Sequence, residues 1–169
     1  MKGVENMNHL TIRHLPELPF DVEESINQLR VNLGFCGDQI KTVVITSSIP
    51  NEGKSFIAVY LWKMLAELGS RVLLIDTPPL ESVADTLHIA AHADGTVLVV
   101  RSGRTSRKLV SDAVDKLKRA GASILGLVLN RVEMKQKGGY YYKRYYYGYY
   151  GKGYGRENGR NRSVADTKN

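Results

Sequence analysis

Short apolar runs alternate with amphipathic segments along most of the chain. Apolar residues that recur every three or four positions after Asp21 predict a first helix, capped by Asp21 and ended by Gly34 or Gly37. Further helices are predicted over residues 55–68, 82–92 and 105–120. β-Branched and leucine-rich runs predict buried strands at 41–46, 71–75, 95–100 and 123–129. Because the strands are apolar throughout and alternate with helices, the pattern predicts an α/β fold: a parallel sheet covered by helices on both faces, in three layers.

The pattern divides the chain into three regions. Residues 1–20 are polar and contain two prolines, and we interpret them as an N-terminal arm. Residues 21–133 carry the alternating elements and form the predicted domain. Residues 134–169 form a tail without periodicity, and we expect residues 138–169 to be disordered because they have too little apolar surface to offset the entropy of ordering.

Charge separates the tail from the rest of the chain. The 169 residues have a net charge of +7, and residues 1–130 hold 14 basic and 14 acidic side chains. Nine of the ten tyrosines lie between Tyr140 and Tyr154, among the basic residues. One cysteine excludes an internal disulfide, and no apolar run approaches the ~20 residues of a membrane-spanning helix. No signal-peptide pattern opens the chain, so we predict a cytoplasmic protein.

The strongest chemical signal is a strand, a turn and a helix read as KTVVIT-SSIPNEGKS-FIAVYLW. The turn fits the phosphate-loop pattern, with Ser48 at the first glycine position. Backbone amides of residues 51–55, which include Asn51 and Glu52, would surround phosphates, helped by the positive end of the next helix. Gly53 permits close approach, Lys54 supplies a charge, and the Ser55 hydroxyl is a magnesium ligand. The alternative is a chance Gly-Lys-Ser in a tight turn.

A carboxylate is needed opposite such a loop, because magnesium prefers oxygen ligands. Asp76 ends a buried apolar strand, at the edge where parallel sheets present their sites, and a Thr-Pro-Pro turn follows it. The sequence therefore predicts that Asp76 binds the metal or acts as a base. The alternative is an ordinary turn aspartate.

These motifs resemble those of the bacterial tyrosine kinases (BY-kinases) of capsule and exopolysaccharide systems. The resemblance covers residues 21–133 and the tail, through ITSSIPNEGKS as Walker A, IDTPP as Walker B, ADGTVLVVRSGRT and ILGLVLNRV. It implies the deviant phosphate-loop NTPase scaffold that partitioning ATPases share, with ATP and magnesium (Mg2+) as cofactors. It also places Lys54 and Asp76 at the catalytic centre, and Phe56 and Asn130 among the nucleotide contacts, with Asn130 near the adenine.

The chain departs from this family at Walker A′. GSRVLLID begins like that motif and continues directly as TPP, so two motifs share Asp76 and the segment between them is missing. One strand then serves for two, and a short right-handed crossover predicts that it lies beside the phosphate-loop strand. Loss of an acidic motif should lower turnover more than nucleotide binding.

The resemblance also assigns roles to both ends of the chain. It implies phosphate acceptors in the tail: Tyr140, Tyr141, Tyr142, Tyr145, Tyr146, Tyr147, Tyr149, Tyr150 and Tyr154. Single-stranded nucleic acid, an anionic membrane or a plain linker are alternative readings of that tail; we favour the acceptor role and predict no nucleic-acid partner. The family packs its subunits into a ring through the N-terminal helix, where Asn27 here replaces an arginine between Glu24 and Arg30.

Three functions follow, in order of preference. The first is an ATP-dependent protein-tyrosine autokinase that regulates polysaccharide assembly, with reduced activity if the missing segment matters. The second is a non-catalytic nucleotide-binding scaffold, and the third is a partitioning-type ATPase. The resemblance implies a membrane adaptor or co-polymerase that recruits the cytoplasmic protein to the membrane, a homo-oligomer and a counteracting tyrosine phosphatase.

Overall fold

A computed structural model describes residues 15–133, which form four helices and four strands. In chain order the elements are α1 (Phe20–Gly34), β1 (Thr42–Ser47), α2 (Lys54–Glu67), β2 (Leu73–Asp76), α3 (Asp85–His92), β3 (Gly95–Arg101), α4 (Arg107–Arg119) and β4 (Ile124–Asn130). Every helix and strand predicted from the apolar pattern is present. The beginning of the predicted arm and the predicted disordered tail lie outside the described residues.

All four strands are parallel, in the order β2-β1-β3-β4. Helices α1 and α2 pack on one face of the sheet, around Ile45, Ile57 and Leu61. Helices α3 and α4 pack on the other face, around Leu98 and Leu117. The three-layer α/β prediction is therefore confirmed, and β2 lies beside β1 as the short crossover requires.

The sheet is buried at its centre and exposed at its edges. Strands β1 and β3 are buried over almost their whole length, because helices cover both of their faces. The prediction of uniformly buried strands is wrong for β2 and β4, where Leu73, Leu127 and Leu129 are 54% to 60% exposed. Each of these edge strands has one neighbour among the described strands, so its side chains find less cover.

Several element boundaries differ from the prediction by one to three residues, and the starts of α1 and α3 show why. Asp21 does not cap α1: the helix begins at Phe20, and the carbonyl oxygen of Pro19 accepts from the amides of Val22 and Glu23. Asp21 lies in the first turn, where a carboxylate favours the helix dipole. Helix α3 begins at Asp85 rather than three residues earlier, because the chain after the Thr-Pro-Pro turn first makes another turn.

The segment before α1 is attached to the domain. The hydroxyl of Tyr60, on α2, donates a 2.7 Å hydrogen bond to the carbonyl oxygen of Pro16. Leu15 and Leu18 pack against the core on the α1 and α2 side. None of the helices within residues 15–133 combines the length and the apolar character that crossing a bilayer requires.

Candidate functional site

The carboxyl ends of β1 and β3 mark a switch point in the topology. The chain leaves β1 toward α2 on one face of the sheet and leaves β3 toward α4 on the opposite face. Open parallel sheets bind ligands at such a point, outside the carboxyl ends of the strands. The predicted phosphate loop, residues 48–55, lies at this point.

The phosphate loop has the backbone conformation of an anion cradle. Asn51 and Gly53 both adopt the left-handed region, with φ of 64° and 89°. Gly53 is the N-cap of α2, and no side chain caps the amides of the first turn. Those amides therefore remain available at the positive end of the helix dipole. Lys54 and Ser55 are the first residues of α2, with Lys54 partly buried and Ser55 exposed.

Phe56 follows them on the first turn of α2 and is 44% exposed. Its ring lies against that of Tyr60, with centroids 4.7 Å apart. The sequence placed Phe56 among the nucleotide contacts; its ring packs on a neighbour of its own helix, which leaves its backbone amide as the group that faces the helix end. That assignment stays a prediction.

The side chain of Glu52 turns into the protein. Only 1% of this residue is exposed. One carboxylate oxygen accepts a 2.9 Å hydrogen bond from the amide of Ile49, within the loop itself. The other oxygen accepts from the amide of Arg101 at 3.1 Å and from the hydroxyl of Thr105. Glu52 thus joins the phosphate loop to the turn that follows β3.

Asn130 approaches the phosphate loop from the end of β4. Its side-chain amide donates a 2.8 Å hydrogen bond to the carbonyl oxygen of Glu52, and its oxygen accepts from the amide of Arg131. A Cβ atom at Gly53 would lie 2.2 Å from the Asn130 nitrogen. The glycine at this position therefore serves the packing of Asn130 as well as the positive φ. The predicted adenine contact stays a prediction, but both polar ends of this side chain already have protein partners.

Asp76 lies on the same edge and the same face as the start of α2. It is the last residue of β2 and pairs in register with Ile45 of β1, whose side chain packs beneath α2. Paired residues of parallel strands point to the same face, so the carboxylate of Asp76 points to the face that α2 covers. Asp76 is exposed. Within residues 15–133 its carboxylate makes neither a hydrogen bond nor an ion pair, with Lys54 or any other residue.

The turn that carries Asp76 is firmly held. Both the amide and the hydroxyl of Thr77 donate to the carbonyl oxygen of Ile45, at 3.2 and 3.3 Å. The carbonyl oxygen of Pro78 accepts from the hydroxyls of Thr46 and Thr86, at 3.2 and 3.1 Å. These bonds tie the turn to β1 on one side and to α3 on the other. The carboxylate of Asp76 has no partner among the described residues, but its backbone is fixed.

The residues at the start of α2 fit an anion such as a polyphosphate. The uncapped first turn of α2 offers amides to an anion, and the buried Ser48 hydroxyl has no hydrogen-bond partner within the described residues. Across residues 15–133, no group of three or more His, Cys, Asp or Glu side chains lies close enough to hold a metal ion. Ser55 and Asp76 would therefore need phosphate oxygens to complete a magnesium shell.

The structure brings together Asn51, Glu52, Gly53, Lys54 and Ser55 in one turn, with Asn130 against it and Asp76 on the neighbouring strand. The tyrosines predicted as acceptors lie outside the described residues. Sequence reasoning assigned Glu52 only a backbone role and missed its side chain. It also missed Thr105, although the motif RSGRT that contains it was part of the resemblance.

Solved tyrosine kinase domains share this α/β fold, with its parallel sheet between two layers of helices. The kinase domain of the Escherichia coli tyrosine kinase ETK superposes with a TM-score of 0.60, covering 79% of this chain and 89% of that one at 17% identity. The chimerical protein CapA2B2 superposes with a TM-score of 0.59, covering 64% of this chain and 84% of that one at 19% identity. At sequence identities this low, the similarity to these structures establishes the fold alone.

Sequence comparison identifies proteins that are related to this chain. The chain is 35% identical over 85 residues to the tyrosine-protein kinase CpsD of Streptococcus agalactiae, an alignment that covers 49% of this chain and 37% of that protein. It is 34% identical over 80 residues to YwqD of Bacillus subtilis, covering 47% and 31%. No profile of a known protein family matches. The chain is thus related to the bacterial tyrosine-protein kinases and spans about a third of the length of these relatives.

Proposed function

We propose that the chain is an ATP-dependent protein-tyrosine autokinase of the BY-kinase type that regulates capsular or extracellular polysaccharide biosynthesis. One observation carries the proposal: an uncapped phosphate loop that ends in Lys54 and Ser55 follows β1, and Asp76 ends the neighbouring strand on the same face, with no partner for its carboxylate within residues 15–133. Relatives named tyrosine-protein kinases support the choice of reaction.

The roles of the residues follow from their chemistry. The amides of residues 51–55 and the Lys54 ammonium would hold the phosphates of ATP and offset their charge. Ser55 and Asp76 would hold magnesium, which supplies charge neutralisation at the transferred phosphate. Asp76 is also the group available to accept the proton of a tyrosine hydroxyl. The predicted acceptors are the tail tyrosines from Tyr140 to Tyr154.

The proposed assembly has two components besides copies of the chain itself. A membrane adaptor or co-polymerase of the polysaccharide system would recruit the kinase to the membrane, and a tyrosine phosphatase would reverse its action. Copies of the chain would associate through α1. Here the guanidinium of Arg30 donates to the side-chain oxygen of Asn27, at 2.7 and 3.1 Å. Arg30 is thereby engaged within its own helix, which would weaken contacts between subunits.

A non-catalytic scaffold is the second candidate, and one observation favours it. Nothing within residues 15–133 holds the Asp76 carboxylate, whereas phosphoryl transfer depends on positioned groups. In that case the protein would bind nucleotide and dock to the adaptor without transferring phosphate. The proposal of a missing Walker A′ segment leads to the same expectation.

Incubation of the purified full chain with ATP and magnesium tests the proposal. We expect phosphotyrosine in the tail, detected by mass spectrometry, and its loss in a Lys54→Met variant that remains folded. ATP binding without phosphotyrosine, with and without the adaptor's cytoplasmic segment, would support the scaffold. Phosphate release stimulated by DNA or membrane would support the partitioning-type ATPase.

A further inference from the structure

We propose that Glu52 is a positioning residue, whose carboxylate ties the phosphate loop to the turn after β3 and gives the cradle its shape before any nucleotide binds. The inference rests on the proposed function in one respect: it takes the ligand of the cradle to be the triphosphate of ATP. The tether itself is a property of the protein without ligand.

The carboxylate spans two separate parts of the chain. The Ile49 amide, three residues before it, binds one oxygen, whereas Arg101 and Thr105, 49 and 53 residues further on, bind the other. The carbonyl oxygen of the same residue accepts from Asn130 at 2.8 Å. Glu52 is therefore the point at which β1, β3 and β4 are joined at the carboxyl edge.

The Glu52 carboxylate contributes the shape of the phosphate loop and not attraction for the ligand, because its negative charge repels the phosphates of ATP. A buried carboxylate next to an anion cradle repels phosphate. The loop also holds Asn51 at a φ of 64°, in the left-handed region, which asparagine tolerates better than most residues but which few residues adopt. The three bonds to the Glu52 carboxylate stabilise that conformation, since charge-assisted hydrogen bonds are stronger than neutral ones.

Charge repulsion and loop positioning predict opposite changes in ATP affinity for Glu52→Gln. This change removes the negative charge and keeps the size, but an amide nitrogen cannot accept a hydrogen bond, so at least one of the two anchored ends is released. If charge dominated, ATP would bind more tightly. If positioning dominates, the competent loop becomes a fraction of the population and the apparent affinity falls by that fraction.

The first experiment compares Glu52→Gln with Glu67→Gln in the full chain. Glu67 lies at the far end of α2, exposed, and makes only a 3.9 Å surface ion pair with Lys63. We expect calorimetry to show an ATP dissociation constant raised about tenfold in Glu52→Gln and unchanged within about twofold in Glu67→Gln. Because bound ATP restores the loop, KM should rise while kcat at saturating ATP changes little.

The second experiment follows amide exchange by NMR without nucleotide. We expect the amides of Ile49 and Arg101 to exchange faster in Glu52→Gln, while the amides of central strand β1 keep the protection they have in the wild type. A role limited to overall stability would raise exchange throughout the sheet instead.

Substitution of Thr105 tests the same proposal with Glu52 unchanged, in case the Glu52→Gln variant does not fold. Thr105→Val removes one of the three donors and should raise the ATP dissociation constant by a smaller factor, whereas Thr105→Ser keeps the hydroxyl and should restore it. Glu52→Gln with Thr105→Val should raise the constant by less than the product of the two single effects, because both changes weaken the same link between the phosphate loop and the turn after β3.

Unchanged or tighter ATP binding in both Glu52→Gln and Thr105→Val, with folded proteins, overturns the proposal. So does unchanged exchange of the Ile49 and Arg101 amides. These results are separate from failure of the proposed function, which would appear as a wild-type chain that binds no ATP. In that event, faster exchange at the two amides in Glu52→Gln would still establish the tether.

Discussion

Two carboxylates at the same sheet edge have opposite surroundings. The Glu52 carboxylate is buried and accepts three hydrogen bonds, whereas the Asp76 carboxylate is exposed and accepts none from the described residues. A buried carboxylate requires partners, and once they are in place its oxygens are no longer available to a ligand. The comparison supports the proposals that Glu52 shapes the loop and that Asp76 contacts a ligand.

Asp94 extends the comparison to the opposite edge of the sheet. It is exposed like Asp76, but its carboxylate accepts from the amides of Lys41 and Thr42, at 2.8 and 2.7 Å, just where β1 begins. Exposure alone therefore does not mark a carboxylate as functional. The absence of protein partners among the described residues is what separates Asp76 from the other two.

The largest expected effect is that of Asp76→Asn on activity. We expect phosphotyrosine formation in the full chain to fall about 100-fold or more, because a base or metal ligand is lost. The free energy of unfolding in urea should change by less than about 0.5 kcal/mol, since no partner of Asp76 is deprived of a bond. Asp112→Asn, on the exposed side of α4, is the matched control. A strongly destabilised Asp76→Asn variant would show that the carboxylate has a structural role after all.

Gly53→Ala should give the next largest effect. The new Cβ would lie 2.2 Å from the Asn130 nitrogen, at a φ of 89°. We expect a loss of about 1–3 kcal/mol in the free energy of unfolding, together with weaker ATP binding.

Gly121→Ala is the control for backbone strain, because Gly121 has a φ of 80° and a Cβ added there would meet no atom within 4 Å. It should cost about 1 kcal/mol and leave ATP binding unchanged. Equal losses in the two variants would mean that the Asn130 contact adds nothing to the phosphate loop.

Asp94→Asn should have the smallest effect, and one that depends on pH. Hydrogen bonds from the backbone amides of Lys41 and Thr42 lower the pKa of Asp94 below its ordinary value. The folded state therefore gains stability from this group above the unfolded pKa of about 3.9, and loses it as the pH falls through the folded pKa. Urea unfolding of wild type and Asp94→Asn should differ at about pH 6 and converge at about pH 2. A difference that persists in acid would contradict the assignment.

The fold could be predicted because its signals are local. Runs such as TVVITS and GTVLVV are buried on both faces, and each helix carries its apolar positions at helical spacing. The neighbouring placement of β1 and β2 followed from the handedness of a short crossover. Exposure of Leu127 and Leu129 could not be predicted in this way, since the apolar run is the same for a central strand and an edge strand.

The sequence indicated only the part of the candidate site that forms a contiguous motif or ends the next strand. The order Gly53-Lys54-Ser55 after a strand indicated the loop, and Asp76 followed from the end of the next strand. The side-chain role of Glu52 depends on Arg101 and Thr105, about 50 residues away, and no local pattern records that proximity. Asn130 was assigned to a ligand, although its nearest partner is the backbone of the loop.

The carbonyl oxygen of Pro78, which accepts two hydrogen bonds, has a consequence for protein engineering. Because hydroxyls from β1 and α3 converge on it, the strand, the proline turn and the helix form one mechanical unit behind Asp76. To move that carboxylate without mutating it, the substitution to make is Thr86→Val, on α3. This change replaces the hydroxyl with a methyl group and removes one of the two hydrogen bonds that the Pro78 carbonyl oxygen accepts.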